Sequence, residues 1–236
     1  MSTTQHASAA VPITRTPPDV RGFWRVLLAV IAPVPMLFQG LTSILTPVDG
    51  DASFEDYAAA FAANPGRAEL VQWLGIPFLV LLVPAAFAVA WVARRRVPRL
   101  ATAGALVAGT GFLAGFGILG GVPSASYLAV RYGLDVTSIS ALETAMAEYP
   151  VTLLGGLLFI LGITFGLLLL GIALWRSRVA PAWMGIALGL GGFTHPFLPG
   201  HVLAGLGLLV AAVGFAGASW ALLRTSNDDF DLPPLP

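Results

Sequence analysis

Apolar runs of about twenty residues recur along the chain between short polar stretches, long enough to cross a bilayer core of about 30 Å as helices. Six spans are predicted, at about Phe23–Leu45, Leu70–Val92, Leu100–Val122, Val151–Trp175, Val179–His195 and His201–Leu223. The second stops at Arg94, Arg95 and Arg96 and the fourth at Arg176 and Arg178, because a guanidinium is costly in hydrocarbon. The fifth is short. Seventeen steps separate Arg178 from His195, about 26 Å of helix, so the following Pro-containing turn is expected below the surface, buried in protein or lining a wet cavity.

Two polar loops carry helical periodicity of their own. Ser53-Phe54-Glu55-Asp56 is a capping box, followed by Phe54, Tyr57, Ala58 and Phe61 on one face. Ser140-Ala141-Leu142-Glu143 reads the same way, with Ile139, Leu142, Met146 and Tyr149 on one face. The expected architecture is therefore all-α: a polytopic membrane bundle of six transmembrane helices with two short interfacial amphipathic helices. Each amphipathic segment leads into a span, an arginine turn preceded by Trp91 or Trp175, and a Gly-rich span. That order predicts a parallel internal repeat over about 51–121 and 135–195. The transmembrane domain covers 23–224, and the polar stretches 1–22 and 225–236 are expected to be flexible tails. The first of these lacks the apolar core of a signal peptide.

Composition agrees with the pattern. The 236 residues are 57% hydrophobic and 10% charged, against about 25% charged in a soluble domain. All twelve basic residues are Arg, and twelve acidic residues cancel them, so no basic surface for nucleic acid is expected. Lys is absent, which excludes a Schiff-base lysine. Cys is absent, which excludes disulfides, thiolate metal sites and thiol catalysis. With the N-terminus inside, ten Arg are inside and two, Arg67 and Arg131, are outside. The positive-inside rule then predicts a multi-pass protein of the cell membrane with both termini cytoplasmic. Eight of the acidic residues fall on the outer loops.

Candidate chemistry is sparse. The span interiors hold no Asp, Glu or Arg, which argues against proton pumping and aspartate-based intramembrane catalysis. Mild polar residues gather toward the outer side: Gln39, Thr42 and Ser43 in the first span, and Gln72 beside Trp73 in the second. His195 and His201 frame the turn before the last span. They suit a polar ligand pocket, acid–base work or simple capping; without an obvious third ligand no metal is assigned. Tyr127 and Tyr149 lie at the same rim. The candidate ligand-binding residues are thus Gln39, Gln72, Trp73, Tyr127, Tyr149, His195 and His201. Pairs such as Gly111 and Gly115, Gly162 and Gly166, and Gly185 and Gly189 suit helix packing within one chain or in a homodimer. No phosphate-loop, dinucleotide, zinc-protease or nucleophile-elbow motif is present.

Asn64-Pro65-Gly66, Trp73-Leu74-Gly75, Val83-Pro84, the Arg94–Pro98 turn, Arg178-Val179-Ala180-Pro181-Ala182-Trp183 and His195-Pro196 carry a resemblance over roughly 23–224. The chain resembles the small, uncharacterised six-helix membrane proteins of GC-rich bacteria, grouped as a domain of unknown function. The resemblance implies a polytopic membrane protein and carries over no catalytic residue and no cofactor. Three functions stay open. The first is non-enzymatic binding of a hydrophobic small molecule, a lipid or a membrane protein partner at an outward-facing site. The second is an enzyme acting on a lipid or isoprenoid with histidine and the rim carboxylates Glu69 and Glu148. The third is a small transporter or a transporter's accessory subunit.

Overall fold

A computed structural model describes residues 19–49, 51–119, 122–233 and 235, with Ile118, Leu119 and His195 described by backbone alone. Most of the expected N-terminal tail lies outside the described residues. Among the described residues there are helices and no strands.

The first span is broken: α1 (Arg21–Ile31) and α2 (Val34–Leu45) meet at Ala32-Pro33, where proline can neither donate to the helix nor avoid the preceding turn. The short α3 (Phe54–Ala63) precedes the long α4 (Pro65–Ala93) and α5 (Pro98–Leu119). Two further short helices, α6 (Ala125–Tyr132) and α7 (Val136–Glu148), fill the long connection. The next span is α8 (Pro150–Leu161), a π-helical turn at Gly162–Gly166, and α9 (Leu167–Ser177). Then come α10 (Ala182–Thr194), a 3-10 turn at His195–Phe197, α11 (Gly200–Arg224) and the small α12 (Asn227–Phe230).

Five of these helical stretches are long and apolar enough to cross a membrane, α1–α2 and α8–α9 each counting as one. The sixth expected span is the exception. Only thirteen residues of α10 are helical, about 20 Å, since Pro196 follows so soon after Pro181. The chain is a multi-helix membrane protein by these lengths and compositions, with α10 too short to count as a span.

The helices pack through glycine. An added Cβ on Gly111 of α5 would lie 2.5 Å from the Gly162 Cα, and one on Gly185 would lie 2.6 Å from the Trp175 backbone nitrogen. Such approach replaces the hydrophobic drive that lipid does not supply. These glycines therefore serve contacts inside the chain. At the centre α11 packs on α2 and α10, and α9 on α5 and α10. Phe112, Phe215, Met36 and Leu167 are wholly buried between them.

Local chemistry sets the short helices. Ser53 caps α3 as expected: its hydroxyl accepts from the Asp56 N–H at 3.1 Å, and Asp56 accepts from the Ser53 N–H at 3.1 Å. The second expected capping box is not formed. Asp135 caps α7, accepting from the Ser138 N–H at 3.0 Å, and Ser140 falls inside the helix. A cap five residues upstream, just after the left-handed Gly133, starts the helix first. The Ser140 hydroxyl instead acts on Glu55 of α3, lowering that carboxyl below its usual range. No residue of α7 is buried, and Leu142, Met146 and Tyr149 are exposed.

The C-terminal segment departs from the loose tail expected of it. Ser226 caps α12, Phe230 is buried against the Trp91 ring with centroids 5.5 Å apart, and the Leu235 N–H donates to the Arg95 carbonyl at 2.7 Å. An aromatic side chain among polar neighbours anchors the segment.

Candidate functional site

Beneath α3, side chains from α2, α4, α5, α6, α8 and α11 line a part-open cavity of about 410 Å³. Its floor is aromatic. Phe78 and Phe116 meet edge to face at 5.6 Å, and Phe116 and Phe159 lie 5.8 Å apart. Phe78 stands thirteen residues into α4, about 20 Å along the helix, so the cavity runs deep into the apolar part of the bundle. Gly75 and Gly115 line it, and their lack of a side chain lets Val122 and Phe159 close in on the wall, where an added Cβ would meet Val122 at 2.7 Å and Phe159 closer still.

The upper wall is polar. Gln39 and Thr42 come from α2, Tyr57 from α3, Gln72 from α4 and His201 from the first turn of α11. Gln72 uses its carbonyl oxygen to accept the Ser124 N–H at 2.8 Å, which pins the segment entering α6. Gln39 has no hydrogen-bond partner among the described residues. The Thr42 hydroxyl is buried without a partner, unlike Thr46, whose hydroxyl donates to the Thr42 carbonyl at 2.9 Å. An unsatisfied buried hydroxyl costs about 1–3 kcal/mol.

One side of the cavity is closed by α3, which buries Ala58 and Phe61. Tyr57 ties it down: its hydroxyl and the His201 Nε2 are hydrogen-bonded across 144 residues of sequence. Burial, aided by the carboxylates of Asp49 and Asp51, raises the Tyr57 phenol above its ordinary value, so it stays protonated and able to donate. On the neighbouring helix, Arg67 donates to the carbonyls of Leu45 and Ile44, closing the end of α2 that α3 does not reach.

Of the seven residues expected at the site, Gln39, Gln72 and His201 line this cavity. Trp73 and Tyr127 line a smaller cavity of about 260 Å³ next to it, which shares Gln72 and Val122. Tyr127 also packs edge to face on Phe61, 6.4 Å between centroids. Tyr149 is 63% exposed and lines neither cavity. At its rim position the bundle offers it no pocket. His195 falls in the 3-10 turn before α11, and its side chain lies outside the described residues. Sequence reasoning missed Tyr57, which its amphipathic pattern assigned to an interfacial face, and the three phenylalanines, which look like ordinary span residues. The carboxylates of the enzymatic reading are elsewhere: Glu69 lines the smaller cavity, and Glu148 is exposed at the end of α7.

Fold and site together define a helical membrane protein with a deep, largely apolar cavity under a short capping helix. No protein-family model, no curated protein and no solved structure matches the chain.

Proposed function

We propose that this is a binding protein of the cell membrane that holds a hydrophobic small molecule or lipid in the cavity beneath α3. The observation that carries the reading is the cavity's make-up. A phenylalanine floor and an upper rim of Gln39, Thr42 and His201 suit an amphiphile with an apolar body and a small polar head. The size falls in the range of ligand pockets, about 300–1,000 Å³. A polar group on the occupant would give the Thr42 hydroxyl and the Gln39 amide the partners they lack. No Asp or Glu lines the cavity among the described residues, and its titratable groups, Tyr57 and His201, are hydrogen-bonded to each other.

The arginine count orients the reading. The arginine turns face the cytoplasm with both termini, and α3, α6 and α7 face outward. The exposed Leu142, Met146 and Tyr149 of the α7 region then rest on the outer lipid surface. The ligand site opens on that side.

Native mass spectrometry of gently extracted protein tests this. Wild-type protein is expected to leave the membrane carrying one small molecule of constant mass. Thr42→Trp, which fills the cavity, and Gln39→Leu are expected to lose it while keeping the wild-type melting temperature within a few degrees. Wild-type protein that is empty, or variants that retain the same mass, would refute the proposal.

A further inference from the structure

At the opposite end of the bundle, the turn between α4 and α5 meets the C-terminal segment around a second cavity of about 200 Å³. Trp91, Arg94, Arg95, Arg96, Thr225 and Asp229 are on its wall. Three consecutive arginines end α4 because they cannot enter hydrocarbon, and their side chains gather where the helix stops. Arg94 folds back over the Trp91 ring, 3.4 Å from its centroid. It donates to the carbonyls of Trp91 at 2.7 Å and of Phe230 and Leu232 at 3.2 Å each. Arg96 donates to the Ser177 carbonyl at 3.1 Å.

Those acceptors are neutral. Among the described residues neither Arg94 nor Arg96 forms an ion pair, and Arg95 reaches Asp229 only at 3.5 Å. Two donors on the same wall, the Arg95 Nε and the Trp91 Nε1, are buried without a partner. Every group left over is a donor, and what they lack is an anion with several acceptor oxygens.

The neighbouring surface supplies the second half of the ligand. An apolar groove of about 520 Å³ runs between α1 and α4, with Trp24, Leu28, Val83, Pro84 and Phe87 along it. Trp91 and Phe230 belong to both the groove and the arginine cavity. A cationic pocket that continues into an apolar groove on a membrane-spanning helix matches an anionic phospholipid, phosphate in the pocket and acyl chain in the groove. A zwitterionic lipid brings its own ammonium against the arginines and fits less well. The acidic groups nearby, Asp229 in the cavity and Asp231 at the groove, come from the C-terminal segment and compete for the same guanidiniums.

We propose that the arginine turn and the adjoining groove bind one anionic phospholipid, with the acidic C-terminal segment as its built-in competitor. This site is at the far end from the cavity beneath α3, so the two proposals stand or fall separately.

Native mass spectrometry of the full chain in detergent, titrated with phosphatidylglycerol, phosphatidylcholine or inorganic phosphate, tests it. One phosphatidylglycerol is expected to be retained where phosphatidylcholine is not. Arg95→Gln should weaken that retention about fivefold, the share of one arginine at an anionic surface. Asp229→Asn should strengthen it, and α12 remains capped, because the Ser226 hydroxyl accepts from the backbone N–H of residue 229 and asparagine keeps an oxygen for that hydroxyl to donate to. Val83→Trp, which fills the groove, should lower lipid retention. Equal retention of the two lipids, or Arg95→Gln and Asp229→Asn shifting retention in the same direction, would overturn the proposal. So would binding of inorganic phosphate with no lipid retained, which would mark a site for free phosphate.

Discussion

Tyr57→Phe removes one oxygen from the contact that fastens α3 over the cavity. The bond to His201 is lost, while the edge-to-face packing of the ring on Phe61, 6.0 Å between centroids, can persist. A hydrogen bond contributes about 0.5–1.5 kcal/mol net, and a buried partner left unsatisfied costs about 1–3 kcal/mol. Since α3 is otherwise held chiefly by Ala58 and Phe61, 4% and 3% exposed, a loss of 1–2 kcal/mol should raise its opening about five- to thirtyfold. Hydrogen–deuterium exchange by mass spectrometry in nanodiscs reads this directly. Peptides covering 54–63 should exchange faster in the variant, while peptides of α10 should not. His201→Ala should produce a similar change, and the double variant should add little, because both remove the same bond. Unchanged exchange in α3, or additive effects of the two substitutions, would refute the reasoning.

The glycine crossing gives an internally controlled test on one helix. Gly111→Ala should destabilise the detergent-solubilised protein by about 1–3 kcal/mol through overpacking against Gly162. Gly117→Ala, whose Cβ meets nothing within 4 Å, should be neutral or stabilising; equal thermal shifts in the two variants would contradict the packing described. Acid should loosen α3. Ser53 holds the Asp56 carboxyl, and Ser140 the Glu55 carboxyl, below their ordinary values of 3.8 and 4.5. Depressed folded values mean that this stabilisation is present above those ordinary values and is lost as the pH falls through the lower folded ones. Exchange of α3, corrected for intrinsic rates, should therefore rise below pH 4.5, and a flat profile would remove these carboxylates from the account.

Features ruled by local chemistry were legible along the chain. The ends of α4 and α9 beside arginines follow from the expense of charge in hydrocarbon. The Ser53–Asp56 cap needs only four residues, and it formed. The shortness of α10 was legible in the seventeen steps between Arg178 and His195, although the same reading still counted the segment as a sixth span. Gln39, Gln72 and His201 stood out because polar residues are rare in apolar spans, and all three reached one cavity. Local reading failed where two local signals competed, as at Asp135 and Ser140. It also failed where a residue's partner lay far away in sequence, as with Phe230 on Trp91.

By itself, then, the sequence determined that this is an all-helical membrane chain with its charges kept out of the middle of its spans, because period, length and desolvation act over a few residues. Tertiary structure alone decided which helices cross at glycine and that Tyr57 meets His201 above three phenylalanines. It also decided that the acidic C-terminal segment folds onto the arginine turn. Those outcomes depend on how surfaces distant along the chain fit together, and no stretch of twenty residues contains that information.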